Sequence, residues 1–184
     1  MMTQEYKSAK TSVNSKKVPA IFRKVEWTEG TMNLDYGGGK FDTATEYLED
    51  KGVRNMIYDP FNRDVVHNLF VLTTFGFDTA TCANVLNVIG EEINRLCAVK
   101  NIWDRLKVGG KAYFWIYEGD KSGIKKIDKK RNSCQLNRKT TEYVPEVASL
   151  FGEENCSVHG QMIVAVKDNK RRYEMLDIDG KEID

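Results

Sequence analysis

The chain has 184 residues, the length of a single domain, so one layered core is expected. Its 41% hydrophobic and 30% charged residues exclude a largely disordered chain and a disulfide-dense miniprotein. No apolar run approaches the roughly 20 residues that span a bilayer, and the first residues carry no signal-peptide core, so a soluble cytoplasmic protein is expected.

Twenty-eight Lys and Arg oppose 27 Asp and Glu, and the net charge of +1 says less than its distribution. Residues 1–30 open with Lys7, Lys10, Lys16, Lys17, Arg23 and Lys24 against the acid Glu5 and show little apolar periodicity, which reads as a mobile basic arm. From 31 to 167, short apolar strands alternate with helical stretches, the pattern of an α/β domain with a mostly parallel sheet. A strand over 32–35 runs into Tyr36-Gly37-Gly38-Gly39-Lys40, then a helix through Thr45, Tyr47, Leu48 and Glu49, with Asp42 as its cap and Gly52 at its end. Residues 54–59 read as the second strand. Only 18 residues separate Asp59 from Asp78, with one helix over 65–74, whereas a doubly wound sheet fits a helix, a strand and a helix there. A strand is therefore expected to be missing.

Residues 79–84 read as a central strand and 91–106 as a helix whose buried stripe is Ile93, Leu96, Cys97, Val99, Ile102, Trp103 and Leu106, stopped by Gly109-Gly110. Residues 111–117 are the most strand-like run. A polar loop over 118–138 follows, then a helix capped by Thr140 or Thr141 that tolerates Pro145 in its first turn. An antiparallel pair over 155–160 and 161–167 closes the sheet, and 168–184 is a charged tail. Cys82, Cys97, Cys134 and Cys156 have no metal-ligand spacing, so no metal site is expected, and His67 and His159 read as surface or capping residues.

Ligands of open α/β sheets sit at the carboxyl ends of the strands. Three segments meet there. Asp35, Tyr36, Gly37, Gly38 and Gly39 end the first strand, where glycines allow close backbone approach; Asp59, Pro60 and Phe61 end the second; Asn84 and Val85 end the central one. The glycines do not fit GxGxxG and lack a P-loop's Gly-Lys-Ser/Thr ending. An acid ahead of them suits a cofactor that carries an ammonium group.

At these residues the chain resembles the class I methyltransferases that use S-adenosylmethionine. Their strand ending Leu-Asp-x-Gly-x-Gly is similar to Leu34 to Gly39, their ribose-binding acid to Asp59, their fourth-strand motif to the run Phe77 to Leu86, and their Leu-x-Pro-Gly-Gly turn to Leu106 to Gly110, with Val108 in the proline's place. The resemblance implies a Rossmann-like three-layer α/β sandwich with a C-terminal antiparallel hairpin. It also implies S-adenosylmethionine as cofactor: Gly37 to Gly39 along its methionine part, Asp35 toward its ammonium, Asp59 on the ribose, Asn84 and Val85 facing methyl and acceptor, and Pro60, Phe61 or Thr74 near the adenine. Asn84-Val85-Leu86-Asn87 stands where base-amine enzymes carry a Pro-Pro pair, and Thr81 precedes Cys82 where cytosine-C5 enzymes need Pro-Cys, which argues against both chemistries. No catalytic residue is singled out.

The segment 119–139 holds eight cations against Asp120 and Asp128 and follows a strand whose end faces the cleft. Tyr117, Glu118, Lys121, Arg138 and Lys139 are therefore expected to face the acceptor together with Asn84. A nucleic-acid acceptor, held by this loop and the basic arm, stands beside a small-molecule acceptor. Two alternatives to a methyltransferase are a cofactor-binding regulatory protein without transfer activity and a nucleic-acid-binding module.

Overall fold

A computed structural model describes residues 4–9 and 17–170. Four strands alternate with three helices, and a hairpin, a fourth helix and a closing pair follow: β1 (Met32–Tyr36), α1 (Thr43–Glu49), β2 (Arg54–Tyr58), α2 (Val65–Leu72), β3 (Phe77–Ala83), α3 (Glu92–Arg105), β4 (Leu106–Trp115), the hairpin β5 (Lys125–Asp128) and β6 (Ser133–Leu136), α4 (Val144–Phe151), β7 (Cys156–His159) and β8 (Met162–Val166). The main sheet has the order β2-β1-β3-β4-β8-β7. β1 to β4 run parallel, and β8 and β7 are antiparallel additions. Among the described residues no strand lies outside β2, so the shortening expected between Asp59 and Asp78 is present, and α2 alone carries the chain from β2 to β3.

Two apolar layers flank the sheet. One side buries Val99, Ile102 and Trp103 of α3 and Val147, Leu150 and Phe151 of α4 against Leu34, Phe114 and Ile163. The other packs Ala44 and Leu48 of α1 with Ile21, Phe22 and Val25. Those last residues correct the arm: where 17–30 is described, a 3-10 turn over Ala20–Arg23 buries Ile21 and Phe22 completely, because its apolar pair outweighs the flanking cations. Residues 10–16 and 171–184 lie outside the described residues, so most of the expected tail is not placed. None of the described helices is long and apolar enough to cross a membrane.

Four local expectations change. The α3 stripe is rotated: Ile93 is half exposed, while Arg95 is buried and bidentate to Glu146 of α4 (2.7 and 2.8 Å). The helix ends at Arg105, ahead of the glycines; the Lys167 ammonium donates to the carbonyls of Trp103 and Leu106 and closes it. Gly109 and Gly110 instead form an irregularity inside β4, where a Cβ on Gly110 would sit 2.9 Å from the Lys107 carbonyl. The polar stretch 118–138 contains β5 and β6, whose Cys134 and Leu136 reach the core although charges dominate its sequence. Neither expected side-chain cap forms: Asp42 pairs with Arg63 at 2.8 Å, and Thr140 bonds Glu118 at the start of a 3-10 turn that precedes α4.

Candidate functional site

The chain between β1 and α1 turns through Gly37 and Gly39, both at positive φ (78° and 77°), where only glycine is unstrained. A Cβ on Gly37 would strike Val85, and one on Gly38 would strike the Asp35 carboxylate. The turn is clamped from the β2 side. Asp59 Oδ2 accepts the Gly39 N–H at 2.9 Å, and the Arg63 guanidinium donates to the Gly39 and Phe41 carbonyls (2.8 and 3.1 Å). Asp59 Oδ1 accepts from the backbone of Phe61 and Asn62 and from the Asn62 amide (2.9, 3.0 and 3.1 Å). Four donors fill a carboxylate's acceptor sites, so Asp59 organises both loops at once.

These loops border a cavity of about 490 Å³ at the carboxyl ends of β1, β2 and β3, within the size range of small-molecule sites. Of the ten residues expected at a cofactor, Tyr36, Gly37, Gly39, Asp59, Pro60, Phe61, Asn84 and Val85 line it. Asp35 and Gly38 do not. The Asp35 carboxylate is buried beneath the turn, where it accepts from Thr81 Oγ1 at 3.2 Å. Burial, aided by the nearby Asp59 charge and opposed by the Thr81 bond, pushes its pKa up to about 7. A carboxyl there supports the turn from below, next to Gly38 and off the cavity wall. Thr74 also lies off the wall.

Asn84 is the unusual wall residue. Its backbone is left-handed (φ 58°), fixed by N–H donation to the Trp115 carbonyl at 2.8 Å. Its side-chain Oδ1 is buried without a hydrogen-bond partner. A non-glycine residue in this region costs about 1–3 kcal/mol, and an unpaired buried acceptor a similar amount.

Three contributions escaped the sequence. Asn94, Cys97 and Asn101 of α3 form a wall, and Asn101 bonds the Tyr36 hydroxyl at 3.4 Å. Tyr58 packs against Tyr36 with ring centroids 4.8 Å apart and planes tilted by 36°. Residues Gln4, Lys7, Ser8 and Ala9 cover one side as a strap, with Gln4 Nε2 and Ser8 Oγ donating to the Val88 carbonyl and the Ser8 N–H to the Asn132 carbonyl.

Of the residues expected to face an acceptor, only Asn84 is on the cavity wall. Tyr117, Lys121 and Lys139 are exposed elsewhere, and Arg138 stacks on Tyr143 and pairs with Glu146. Glu118 is buried; the Thr140 N–H and hydroxyl (2.7 and 2.9 Å) and Lys121 hold its pKa down to about 2, so it anchors the chain ahead of α4. Among the described residues no cluster of His, Cys, Asp and Glu could hold a metal ion.

No family model and no curated protein sequence matches the chain. Solved structures do. The 1,6-didemethyltoxoflavin N1-methyltransferase of Burkholderia thailandensis, solved with its acceptor and S-adenosylhomocysteine, superposes with a TM-score of 0.57 at 16% identity over 77% of this chain and 72% of that one. This chain has the Rossmann-like fold of class I methyltransferases. An S-adenosylmethionine-dependent methyltransferase of Methanosarcina mazei gives 0.57 at 12% identity, over 83% of this chain and 99% of its own. An O-methyltransferase of neocarzinostatin biosynthesis, solved with S-adenosylhomocysteine and 1,4-dihydroxy-2-naphthoic acid, gives 0.54 at 12%, over 81% of this chain and 52% of its own. Against the strand order of the doubly wound fold, the described residues of this chain place no strand outside β2.

Proposed function

We propose that this chain is an S-adenosylmethionine-dependent methyltransferase that binds its cofactor in the cavity at the ends of β1 to β3 and acts on a small, uncharged or weakly charged acceptor. The observation that carries this reading is Asn84: a strained residue with an unpartnered buried oxygen, set beside a clamped glycine turn on the wall of a cavity of the right size. Such strain persists where a ligand repays it.

The residues present fit this cofactor. Gly37 and Gly39 admit its methionine part close to the backbone, Asn84 Oδ1 offers an acceptor to its ammonium, and Asp59, with Asn62 turned aside, offers one to the ribose. Pro60, Phe61, Val88 and Ile89 give apolar walls to a flat ring, and Asn94 offers an amide to its edge. When bound, the cofactor supplies a methyl group activated on a sulfonium. The chain's part is to hold donor and acceptor in line and to exclude water, which the strap over Gln4 to Ala9 assists. Among the described residues Asp59 is the only carboxylate on the wall and is saturated with donors, so an acceptor that is already nucleophilic suits the site.

A small acceptor is favoured over a nucleic acid because five of the eight cations of 119–139, Lys121, Lys125, Lys126, Arg131 and Arg138, pair with an acid, and none of the eight lines the cavity. Incubation of the full chain with methyl-labelled S-adenosylmethionine and a fractionated cell extract tests this. Label is expected in the small-molecule fraction; label confined to nucleic acid would overturn the acceptor class, and none in any fraction would overturn transfer itself.

A further inference from the structure

Helix α2 is built inside out. At about 100° per residue, Val65, Leu69, Thr73, Val66 and Phe70 share one arc of roughly 140° and His67, Val71, Asn68 and Leu72 share the opposite one. The polar members face the protein. The His67 ring bonds the Ile57 carbonyl at 2.7 Å, while Asn68 exchanges bonds with Asp59, donating to its carbonyl at 2.9 Å and accepting its N–H at 3.0 Å. These side chains satisfy the outer edge of β2 in the place where a further strand would pair. The apolar members face water: Val65 and Val66 are 82% and 77% exposed, and Leu69 and Phe70 59% and 57%. Phe61 ahead of the helix and Phe75 after it are also exposed.

Such a face needs a cover. Six large apolar side chains left this open present on the order of 600 Å², most of the roughly 800 Å² per partner in a standard interface and at the top of what a monomer exposes in one patch. The mode of contact is helix against helix, because the exposed apolar side chains lie on α2, whose inner side bonds Ile57 and Asp59 at the end of β2. Area and charge fit a second copy. About 600 Å² from each of two chains totals roughly 1,200 Å², the lower bound of a specific interface. From Val65 to Thr74 the only ionisable residue is His67, which faces inward. In a two-fold dimer the side chains on the axis meet their own copies, and this helix places no charge there.

We propose that the outward face of α2 is the interface through which two copies of this chain form a two-fold symmetric dimer, the α2 helices packing against each other. The loss of the strand beyond β2 then has a structural consequence: the surface it uncovered became a subunit contact, and Phe61, which also lines the cavity, links that contact to the ligand site.

Sedimentation velocity of the full chain tests this. A dimer of twice the 21.1 kDa chain mass is expected in the micromolar range, and Leu69→Glu with Phe70→Glu is expected to yield monomer with an unchanged far-ultraviolet circular dichroism spectrum. Val66→Glu, which removes a different side chain of the same face, is expected to do the same, whereas Val108→Glu, on an exposed valine of β4, leaves the dimer intact. A wild-type chain that stays monomeric at roughly 100 µM overturns the proposal, since the face then belongs to another protein or to residues 171–184. A dimer that survives both α2 variants in folded form overturns it as well.

Discussion

The glycine turn after β1 and the charged segment 117–139 both end sheet strands on the ligand side, yet they use their polar groups in opposite ways. Around the turn, Asp59 and Arg63 bond backbone groups of the glycine loop, with Asn62 donating to the Asp59 carboxylate, and the loops so held border a cavity. In 117–139 most charged groups bond one another or close the start of α4, and the contacts toward the cavity run through the strap, where Ser8 bonds the backbone of Asn132 and Cys134 and Lys125 pairs with Glu5. A run of charge in a sequence therefore locates a ligand only where the fold leaves that charge unpaired.

The largest effect that would break this contrast is expected at Gly37. Gly37→Val puts a β-branched residue at φ 78° and drives it into Val85, so ligand affinity is expected to fall by about 100-fold or more, with a loss of roughly 1–3 kcal/mol in stability. Wild-type affinity in that variant would show that the turn does not shape the site. Asn84→Gly separates function from stability: relief of the left-handed backbone and removal of the orphan oxygen are expected to raise stability by about 1 kcal/mol while ligand affinity drops about tenfold. A variant that loses both, read by thermal melting and titration together, would make Asn84 a structural residue.

The acid and neutral limbs of the stability profile distinguish the two regions by sign. Glu118, held at about 2 against an ordinary value of 4.5, contributes stability above pH 4.5 that is lost as pH falls toward 2. Asp35, raised to about 7 from 3.8, contributes stability that is complete below pH 3.8 and is lost as pH rises through 7. Glu118→Gln is thus expected to flatten the melting profile between pH 2 and 4.5, and Asp35→Asn between pH 4 and 8. A wild-type slope in either variant would refute the corresponding assignment. The smallest effect belongs to the exposed hairpin: Lys126→Ala removes its pair with Asp120 and is expected to change ligand affinity less than about twofold.

Much of this was legible in the sequence, and the unread parts share a cause. The strands, the glycine turn, Asp59 and the shortened interval are local, because a strand's period, a glycine's conformational freedom and a count of residues are carried by neighbours in the chain. Arg63, the α3 wall and the strap are not, since each acts across a long sequence separation on a backbone group that carries no signature of its own. The run Val65 to Thr74 reads as a helix from its apolar content, but which face turns inward depends on the absent strand, whose empty edge recruits His67 and Asn68. The hairpin β5–β6 was hidden by its own lysines, which alternate poorly with the few apolar residues that fix its register.

Isothermal titration of the full chain with S-adenosylhomocysteine tests the central claim most directly. One site per chain in the wild type, with no binding in Gly37→Val, is the predicted result; a folded wild-type protein that gives no binding heat with either S-adenosylhomocysteine or S-adenosylmethionine at any temperature tried would contradict it.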